Sequence, residues 1–165
     1  SDLYVLKAHL AMAMFRLNPE MNGNEIDIAV RAQLEPAGLD FNHGLSHGVG
    51  YVLSVHEGPN GIGKTPSKVP LRAGMIMSNE PGVYIEGKFG IRIENVVVFK
   101  SDEEGFIVNE PLTCVPYERR AINKDLLTDE ELSYVNEYHK WVRETLTPLL
   151  DEETAAWLAE ETADL

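Results

Sequence analysis

The chain has 165 residues and a formal net charge of −13, from 27 acidic and 14 basic side chains. This length suits one domain with a substantial core. The negative balance disfavours nucleic acid and anionic membrane as partners, and no apolar run approaches the length of a bilayer span. The single cysteine, Cys114, cannot form an internal disulfide, which favours a reducing compartment. Composition therefore predicts a soluble, cytoplasmic protein.

Two helices are predicted at the start of the chain. Apolar residues recur at helical spacing from Leu3 to Leu17, where an Asn-Pro pair ends the pattern. A second helix is predicted from about Glu25 to Glu35, with Asn24 as its N-cap. The chain begins almost inside a helix and has no initiator methionine, so we expect it to be a piece of a longer polypeptide.

The segment 43–59 differs in composition from a core segment. It interleaves glycines with three of the five histidines: His43, His47 and His56. Glycine suits places where the backbone passes close to an ion or a substrate and a Cβ would be in the way. We name residues 43–59 the histidine-rich segment, and its pattern makes it the first candidate for a functional site.

After this segment, short β-branched or apolar runs predict an antiparallel meander of strands at 75–78, 83–85, 91–99 and 106–108. Period-two alternation along the longest run puts Arg92 and Glu94 on the same face, so these side chains are expected to point into the same space. Helices followed by such a meander indicate an α+β fold.

The end of the chain has a composition of its own. Residues 118–165 contain 13 acidic and 5 basic side chains, most of which we interpret as a solvated helical face. Thr128 with Glu131 predicts a capping box, and Asp151 predicts the cap of a final short helix. Two domains are expected, 1–115 and an acidic helical extension at 116–165.

Few polar groups interrupt the apolar middle of the chain, and His47, Glu80 and Glu94 lie in three different segments of it, each beside a tight turn or on a strand. A sheet that brought them together would offer one imidazole and two carboxylates, which suits Mn, Fe(II), Co or Zn. Taken singly, His47 could be a structural histidine and Glu80 a turn carboxylate. Spacing alone leaves both interpretations open, and the glycines argue against a helical zinc-binding motif here.

Four short motifs carry a resemblance to a known family. They are HGLSHGVG at 43–50, VHEGP at 55–59, SNEPGVY at 78–84 and GIRIEN at 90–95. In order and approximate distance they resemble the aminopeptidase P branch of the pita-bread metallopeptidases, and residues 138–158 are similar to the C-terminal helical extension of that branch. The resemblance implies part of a pita-bread (creatinase/aminopeptidase) fold, an antiparallel curved sheet with flanking helices, with 1–115 as the C-terminal part of its catalytic domain.

The resemblance also implies a chemistry. The reaction would be hydrolysis of the bond between an N-terminal residue and a following proline, at two divalent ions, with Mn favoured and Zn or Co as alternatives. A proline-containing peptide would be the substrate, and the intact protein would be a homodimer. The implied roles are metal ligation by His47, Glu80 and a bridging Glu94, substrate binding or proton transfer by His43 and His56, and stabilisation of the neighbouring carboxylates by Arg92.

The chain departs from the family pattern in two places. Leu45-Ser46 stands where the family usually has Thr-Gly, beside the proposed ligand His47. The family's site also uses two aspartates before the helix with which this chain begins, and none of the aspartates here matches them. Three of five ligands remain, so the chain alone is expected to be inactive or nearly so. Two alternatives stay open: a prolidase that cleaves dipeptides, and a non-catalytic dimerisation or peptide-binding module.

Overall fold

A computed structural model describes residues 2–52 and 54–165; Ser1 and Leu53, the latter inside the histidine-rich segment, lie outside the described residues. Helices and antiparallel strands are both present, as the α+β prediction requires. The α-helices are α1 (Asp2–Ala13), α2 (Asn24–Ala32), α3 (Asp129–Leu146) and α4 (Glu152–Glu161). The strands are β1 (Ser46–His47), β2 (Gly61–Ile62), β3 (Ile76–Asn79), β4 (Gly82–Ile85), β5 (Phe89–Arg92), β6 (Asn95–Ser101) and β7 (Ile107–Pro111).

The chain divides into two compact units, one covering 3–113 and the other 114–165. The first unit contains strands β1 to β7 with α2 and nearly all of α1, and the second contains α3 and α4. The assignment of 1–115 to a catalytic domain and of 116–165 to an extension remains a prediction.

The strands pair antiparallel, but they do not form the simple meander predicted from the sequence. The main sheet has the order β3-β6-β7, while β4 and β5 form a separate hairpin and β1 pairs with β2. The hairpin is therefore inserted between two strands that are neighbours in the main sheet. Gly87, with a φ of 70°, supplies the left-handed residue of its tight turn.

The single strand predicted at 91–99 is wrong, because residues 93 and 94 belong to neither β5 nor β6. At this point the chain leaves the hairpin and enters the main sheet. The Ile93 N–H donates to the carbonyl of Pro81, at 3.4 Å, instead of to a neighbouring strand. Beyond the interruption the predicted alternation holds, since Asn95, Val97 and Phe99 are buried.

The core of the first unit lies between the two helices and the sheet. Helix α1 is apolar on most of its surface, as a helix that is buried on several sides must be. The cluster includes residues from α1, α2, β3, β6 and β7: Val5, Ala8, Met12, Ile26, Val30, Met77, Val97, Phe99 and Ile107.

Two helix boundaries predicted from the sequence are wrong. Helix α1 ends at Ala13 because Leu17 joins the sheet, exchanging two backbone hydrogen bonds of 2.9 and 2.8 Å with Ile107. Gly23 is the N-cap of α2, and the side-chain amide of Asn24 instead donates to the carbonyl of Gly63, at 2.8 Å. In both cases a long-range contact outweighs the local signal.

In the second unit the predicted caps are confirmed. The Thr128 hydroxyl accepts from the Glu131 N–H at 3.2 Å, and the Glu131 carboxylate accepts from the Thr128 N–H at 2.9 Å. Asp151 caps α4 by accepting from the Thr154 N–H. Within the part of the chain that the structure describes, no helix is both long and apolar enough to cross a membrane.

Candidate metal centre

The register of the main sheet brings two glutamates together. Asn79 at the end of β3 pairs with Asn95 at the start of β6. Glu80 follows β3 and Glu94 precedes β6, so the two residues face each other just beyond the last pair of the ladder. Two carboxylates in this relation repel each other unless a cation lies between them.

The histidine-rich segment lies along β3 and adds His47 to this pair. The Glu80 N–H donates to the carbonyl of Leu45 at 3.1 Å, and the Val49 N–H donates to that of Ile76 at 3.1 Å. These backbone bonds straddle His47. Its Nε2 lies 2.9 Å from Oε1 of Glu80.

Ser78 links the two ligand-bearing segments through its buried side chain. Its hydroxyl oxygen accepts from the His47 N–H at 3.0 Å, and the hydroxyl donates to Oε1 of Glu80 at 2.9 Å. One side chain therefore holds both the backbone of His47 and the carboxylate of Glu80. The sequence interpretation missed Ser78, although its position two residues before Glu80 on a strand puts both side chains on the same face.

The contacts of the two ring nitrogens of His47 fit a metal ion in this cluster. Nδ1 of the ring lies 2.9 Å from the carbonyl oxygen of Gly48, and because a carbonyl only accepts, Nδ1 carries the hydrogen. In the neutral ring Nε2 then presents a lone pair to the Glu80 carboxylate, so two acceptors face each other and a proton or a metal cation must lie between them. One ligand atom from each of His47, Glu80 and Glu94 lies within 4.8 Å of the others.

Gly48 explains why this segment needs glycine. Its carbonyl accepts from the Glu57 N–H at 2.9 Å, and a Cβ on Gly48 would lie only 2.2 Å from the carbonyl oxygen of Glu57. Any larger residue would push the following loop away from His47. The close approach predicted for the glycines is present here, but the group that Gly48 approaches is the Glu57 backbone rather than an ion or a substrate.

Arg92 lies beside Glu80, although not as the strand pattern suggested. Its Nη1 donates to Oε2 of Glu80 at 3.1 Å and its Nε donates to the hydroxyl of Tyr84 at 2.6 Å. Arg92 pairs across the hairpin with Gly82, whose missing side chain leaves room for the Tyr84 ring. The contacts seen for Arg92 thus involve Glu80 rather than its strand neighbour Glu94.

Tyr84 continues this chain of hydrogen bonds to His43. The Tyr84 hydroxyl lies 3.2 Å from Nε2 of His43, and Nδ1 of His43 lies 2.8 Å from the carbonyl oxygen of Gly44. Nδ1 therefore carries the hydrogen, and Nε2 accepts from the Tyr84 hydroxyl. The series Glu80, Arg92, Tyr84, His43 connects the metal cluster with a histidine outside it, and the sequence interpretation assigned no role to Tyr84.

Arg31 holds the turn that leads to His43. Its guanidinium donates to the carbonyls of Phe41 and His43 at 2.7 and 3.3 Å, pairs with Asp27 at 2.8 Å, and lies 3.9 Å above the Phe41 ring. Burial opposes the charge of this guanidinium, but hydrogen bonds to Asp27 and Asp40 outweigh it and raise the pKa of Arg31. No short-range motif indicates this role, since the contacts depend on the packing of α2.

Asp40 is the exposed end of the same network. It accepts from Arg31 at 2.6 Å and from Lys64 at 2.6 Å. Desolvation acts to raise the pKa of Asp40, but the hydrogen bonds from Lys64, from the Phe41 N–H and from Arg31 outweigh it and lower this pKa to about 2.

His56 completes the group of histidines. Its ring is exposed and lies with its centroid 4.0 Å from that of His47, tilted by 49°. The histidine-rich segment thus brings His56 to the side of His47, while His43 is directed toward Tyr84. All six residues singled out from the sequence lie in one region, around the ends of β3 and β6.

Comparison with known proteins gives the family. Residues 4–101 match the sequence profile of metallopeptidase family M24, and residues 105–165 match the C-terminal region of that family. The chain is 42% identical to Xaa-Pro aminopeptidase 1 of Dictyostelium discoideum over 154 residues, which cover 89% of this chain and 25% of that protein. The chain therefore spans about a quarter of the length of this relative.

Solved structures agree. The crystal structure of X-prolyl aminopeptidase from Caenorhabditis elegans, described as a cytosolic enzyme with a di-nuclear active site, matches with a TM-score of 0.91 and 36% identity, covering 99% of this chain and 28% of that one. The prolidase from Pyrococcus furiosus matches with a TM-score of 0.58 and 32% identity, covering 69% of this chain and 32% of that one. These neighbours confirm the pita-bread fold, and the chain belongs to metallopeptidase family M24.

Proposed function

We propose that the protein carrying this chain is a divalent-metal-dependent Xaa-Pro aminopeptidase, to whose metal centre the chain contributes His47, Glu80 and Glu94. The observation that carries the proposal is the convergence of these three ligand atoms within 4.8 Å in a chain of this family. The match of 105–165 to the family's C-terminal region, and the coverage of 99% by the C. elegans aminopeptidase, favour this activity over that of a prolidase.

The residues of the chain have definite tasks in this reaction. His47, Glu80 and Glu94 would hold divalent metal, which would supply a water activated as hydroxide and polarisation of the scissile carbonyl. Ser78 and the Gly48 carbonyl hold Glu80 and His47 in orientation. Arg92 donates to Oε2 of Glu80 at 3.1 Å and so fixes the orientation of that carboxylate.

The two further histidines would act on the substrate. His56 lies exposed beside His47, where an imidazole can transfer protons near neutral pH. His43 uses Nε2 to accept from Tyr84, so contact between this nitrogen and a substrate requires the Tyr84 hydroxyl to be replaced. Arg92 and Tyr84 therefore set the position from which His43 meets the peptide.

Manganese as the native ion, a homodimer and a cytoplasmic location are further parts of the proposal. The donor set of one imidazole and two carboxylates suits Mn, Co and Zn alike. The location is supported by the description of the C. elegans relative as cytosolic.

Metal binding and peptide hydrolysis test the proposal together. The 165-residue chain lacks residues matching two expected aspartate ligands, so we expect weak Mn²⁺ binding and little turnover of a tripeptide with proline at position two. A longer polypeptide that adds these ligands should hydrolyse the peptide and spare the same peptide with alanine in place of proline. Rapid hydrolysis by the chain alone would contradict the expectation that further ligands are needed, and no hydrolysis by the longer polypeptide with Mn²⁺ would contradict the proposed activity.

Variants separate the centre from its surroundings. His47→Ala and Glu94→Gln should abolish measurable Mn²⁺ binding, because each removes one of few ligands. Glu86→Gln is the matched control, since Glu86 is an exposed carboxylate in the turn of the β4–β5 hairpin. Equal losses in all three variants would show that the cluster holds no specific ion.

A prolidase is the second candidate, favoured by the match to the P. furiosus enzyme. Substrate length discriminates the two activities. An aminopeptidase should cleave Xaa-Pro dipeptides and longer Xaa-Pro peptides, whereas a prolidase should cleave only the dipeptide. Peptide binding without hydrolysis of either substrate, in the longer polypeptide with Mn²⁺, would instead indicate the non-catalytic module.

A further inference from the structure

His9 is a buried polar residue in an otherwise apolar helix. It lies in the middle of α1 and is 0% exposed, among neighbours such as Val5, Leu10 and Met12 that are equally buried. A histidine in such a place needs hydrogen-bond partners, because an unpaired buried polar group costs free energy. Its partners lie about 70 and 84 residues further along the chain.

Those partners immediately precede the two candidate glutamate ligands. Nδ1 of His9 lies 3.2 Å from the carbonyl oxygen of Ile93, the residue before Glu94. The ring also lies within reach of the backbone of Asn79, the residue before Glu80. One imidazole therefore contacts the backbone next to both glutamates.

The contact with Asn79 is reciprocal. The buried side-chain amide of Asn79 donates to the backbone carbonyl of His9, at 3.0 Å. The side chain of Asn79 thus bonds to the backbone of His9 in α1, and the ring of His9 contacts the backbone of Asn79 at the end of β3. Such paired bonds restrict both the rotation of the side chains and the path of the strand.

Glu80 and Glu94 need this restraint more than most neighbouring residues do. Their carboxylates stand opposite each other and repel, and the chain has no regular strand pairing at Glu94. A metal site tolerates displacements of only about 0.5 Å in its ligands. The main chain before each glutamate must therefore be held in place by buried residues, and His9 contacts it at both Asn79 and Ile93.

We propose that His9 is a positioning residue that holds the β3 and β6 ends, and with them Glu80 and Glu94, at the separation that a shared metal ion requires. This inference rests on the proposed metal centre. The neutral imidazole has one N–H to donate and does not add charge beneath the ion. Desolvation outweighs the backbone hydrogen bonds and lowers the pKa of His9 to about 4, which keeps the ring neutral at pH 7.

The test compares two His9 variants with a matched buried histidine. His9→Leu removes the ring's hydrogen bond to the Ile93 carbonyl and puts an apolar side chain in its place, while His9→Gln keeps an N–H donor. His139→Leu is the control: His139 is also 0% exposed, accepts from the Tyr117 N–H at 3.0 Å, and has its pKa lowered to about 4, chiefly by desolvation. Mn²⁺ affinity and the melting temperature are measured for the chain and for the longer polypeptide of the proposed function.

We expect His9→Leu to weaken Mn²⁺ binding by about 10- to 100-fold, the usual cost of losing a group that orients metal ligands. His9→Gln should restore most of the affinity. His139→Leu should lower the melting temperature without changing the affinity. Loss of affinity in His9→Leu that is no larger than in His139→Leu, or that His9→Gln does not restore, would overturn the proposal.

A second measurement decides the proposal without metal. Amide hydrogen exchange reports the order of the strand ends, through the N–H groups of Glu80 and Ile93, which bond to Leu45 and Pro81. His9→Leu should speed exchange at these two amides more than elsewhere in the unit, and His9→Gln should reverse this. If the unmodified proteins bind no Mn²⁺, the metal centre fails; if exchange at these amides follows only global stability, His9 has no positioning role.

Discussion

The histidine-rich segment and the glutamate-bearing strands form one site but are ordered in different ways. Among its described residues, the segment 43–59 has two residues of strand, an isolated β-bridge at Gly48 and otherwise irregular backbone. The glutamates lie instead at the ends of β3 and β6, which pair over four residues. The histidine-rich segment contains most of the unusual sequence pattern, whereas β3, β6 and α1 provide the regular structure that holds the site in position. The recognisable motif is therefore positioned from outside, by Ser78, Arg31 and the backbone of β3.

The largest effect is expected for Arg31, whose hydrogen bonds hold the turn at the start of the histidine-rich segment. Arg31→Met should destabilise the protein by about 3–5 kcal/mol, because it leaves Asp27, whose side chain is 2% exposed, as an uncompensated buried charge. The turn before His43 should also lose order. Chemical denaturation of the variant measures the change in the free energy of unfolding.

Arg16 supplies the matched control for this prediction. It also lies above a phenylalanine ring, 4.4 Å from that of Phe106, and pairs with Asp102 and Glu104, but its side chain is 48% exposed. Exposed ion pairs contribute little to stability, so Arg16→Met should scarcely change the midpoint of chemical denaturation. Equal destabilisation by both substitutions would show that burial is not what makes Arg31 important.

Gly48→Ala tests the close approach inside the histidine-rich segment. The new Cβ would lie 2.2 Å from the Glu57 carbonyl oxygen. We therefore expect the free energy of unfolding to fall by about 1–3 kcal/mol, toward the upper end of this range because the backbone must move. Gly44→Ala, whose Cβ would be 3.5 Å from its nearest atom, should be tolerated. Thermal melts of the two variants compare them, and similar melting temperatures would contradict the steric explanation.

Ser78→Ala tests the link between the two regions. It removes the acceptor of the His47 N–H and a donor to Glu80, which should cost about 1–2 kcal/mol in stability and about tenfold in Mn²⁺ affinity. Ser46→Ala is the control, because the buried Ser46 hydroxyl has no hydrogen-bond partner among the described residues. Calorimetric titration should show weaker Mn²⁺ binding for Ser78→Ala than for Ser46→Ala. Equal affinities would show that Ser78 does not support the metal centre.

Asp40→Asn should have the smallest effect, and this effect should depend on pH. Because the folded state lowers the pKa of Asp40 from 3.8 to about 2, its ionised form stabilises the protein above about pH 4, and this contribution disappears as the pH falls toward 2. With a side chain 50% exposed, the difference at pH 7 should stay below about 1 kcal/mol. Denaturation at pH 7 and pH 2.5 measures it; a difference that grows at low pH would contradict the assignment.

Local sequence signals predicted the second unit well and the first unit less well. The caps at Thr128 and Asp151 were right because a cap depends on residues within one turn of a helix. The strand at 91–99 and the cap at Asn24 were wrong because distant partners, the Pro81 and Gly63 carbonyls, decided those positions. Short-range patterns cannot contain such partners.

The same division holds for the site. The sequence by itself determined the family motifs and the ligand types, since imidazole and carboxylate chemistry belongs to His47, Glu80 and Glu94 wherever they lie. Only the tertiary structure decided that Asn79 pairs with Asn95, which sets the glutamates opposite each other. It also decided that the buried His9 contacts the backbone before both glutamates, because register and burial result from packing of the whole unit rather than from any single segment.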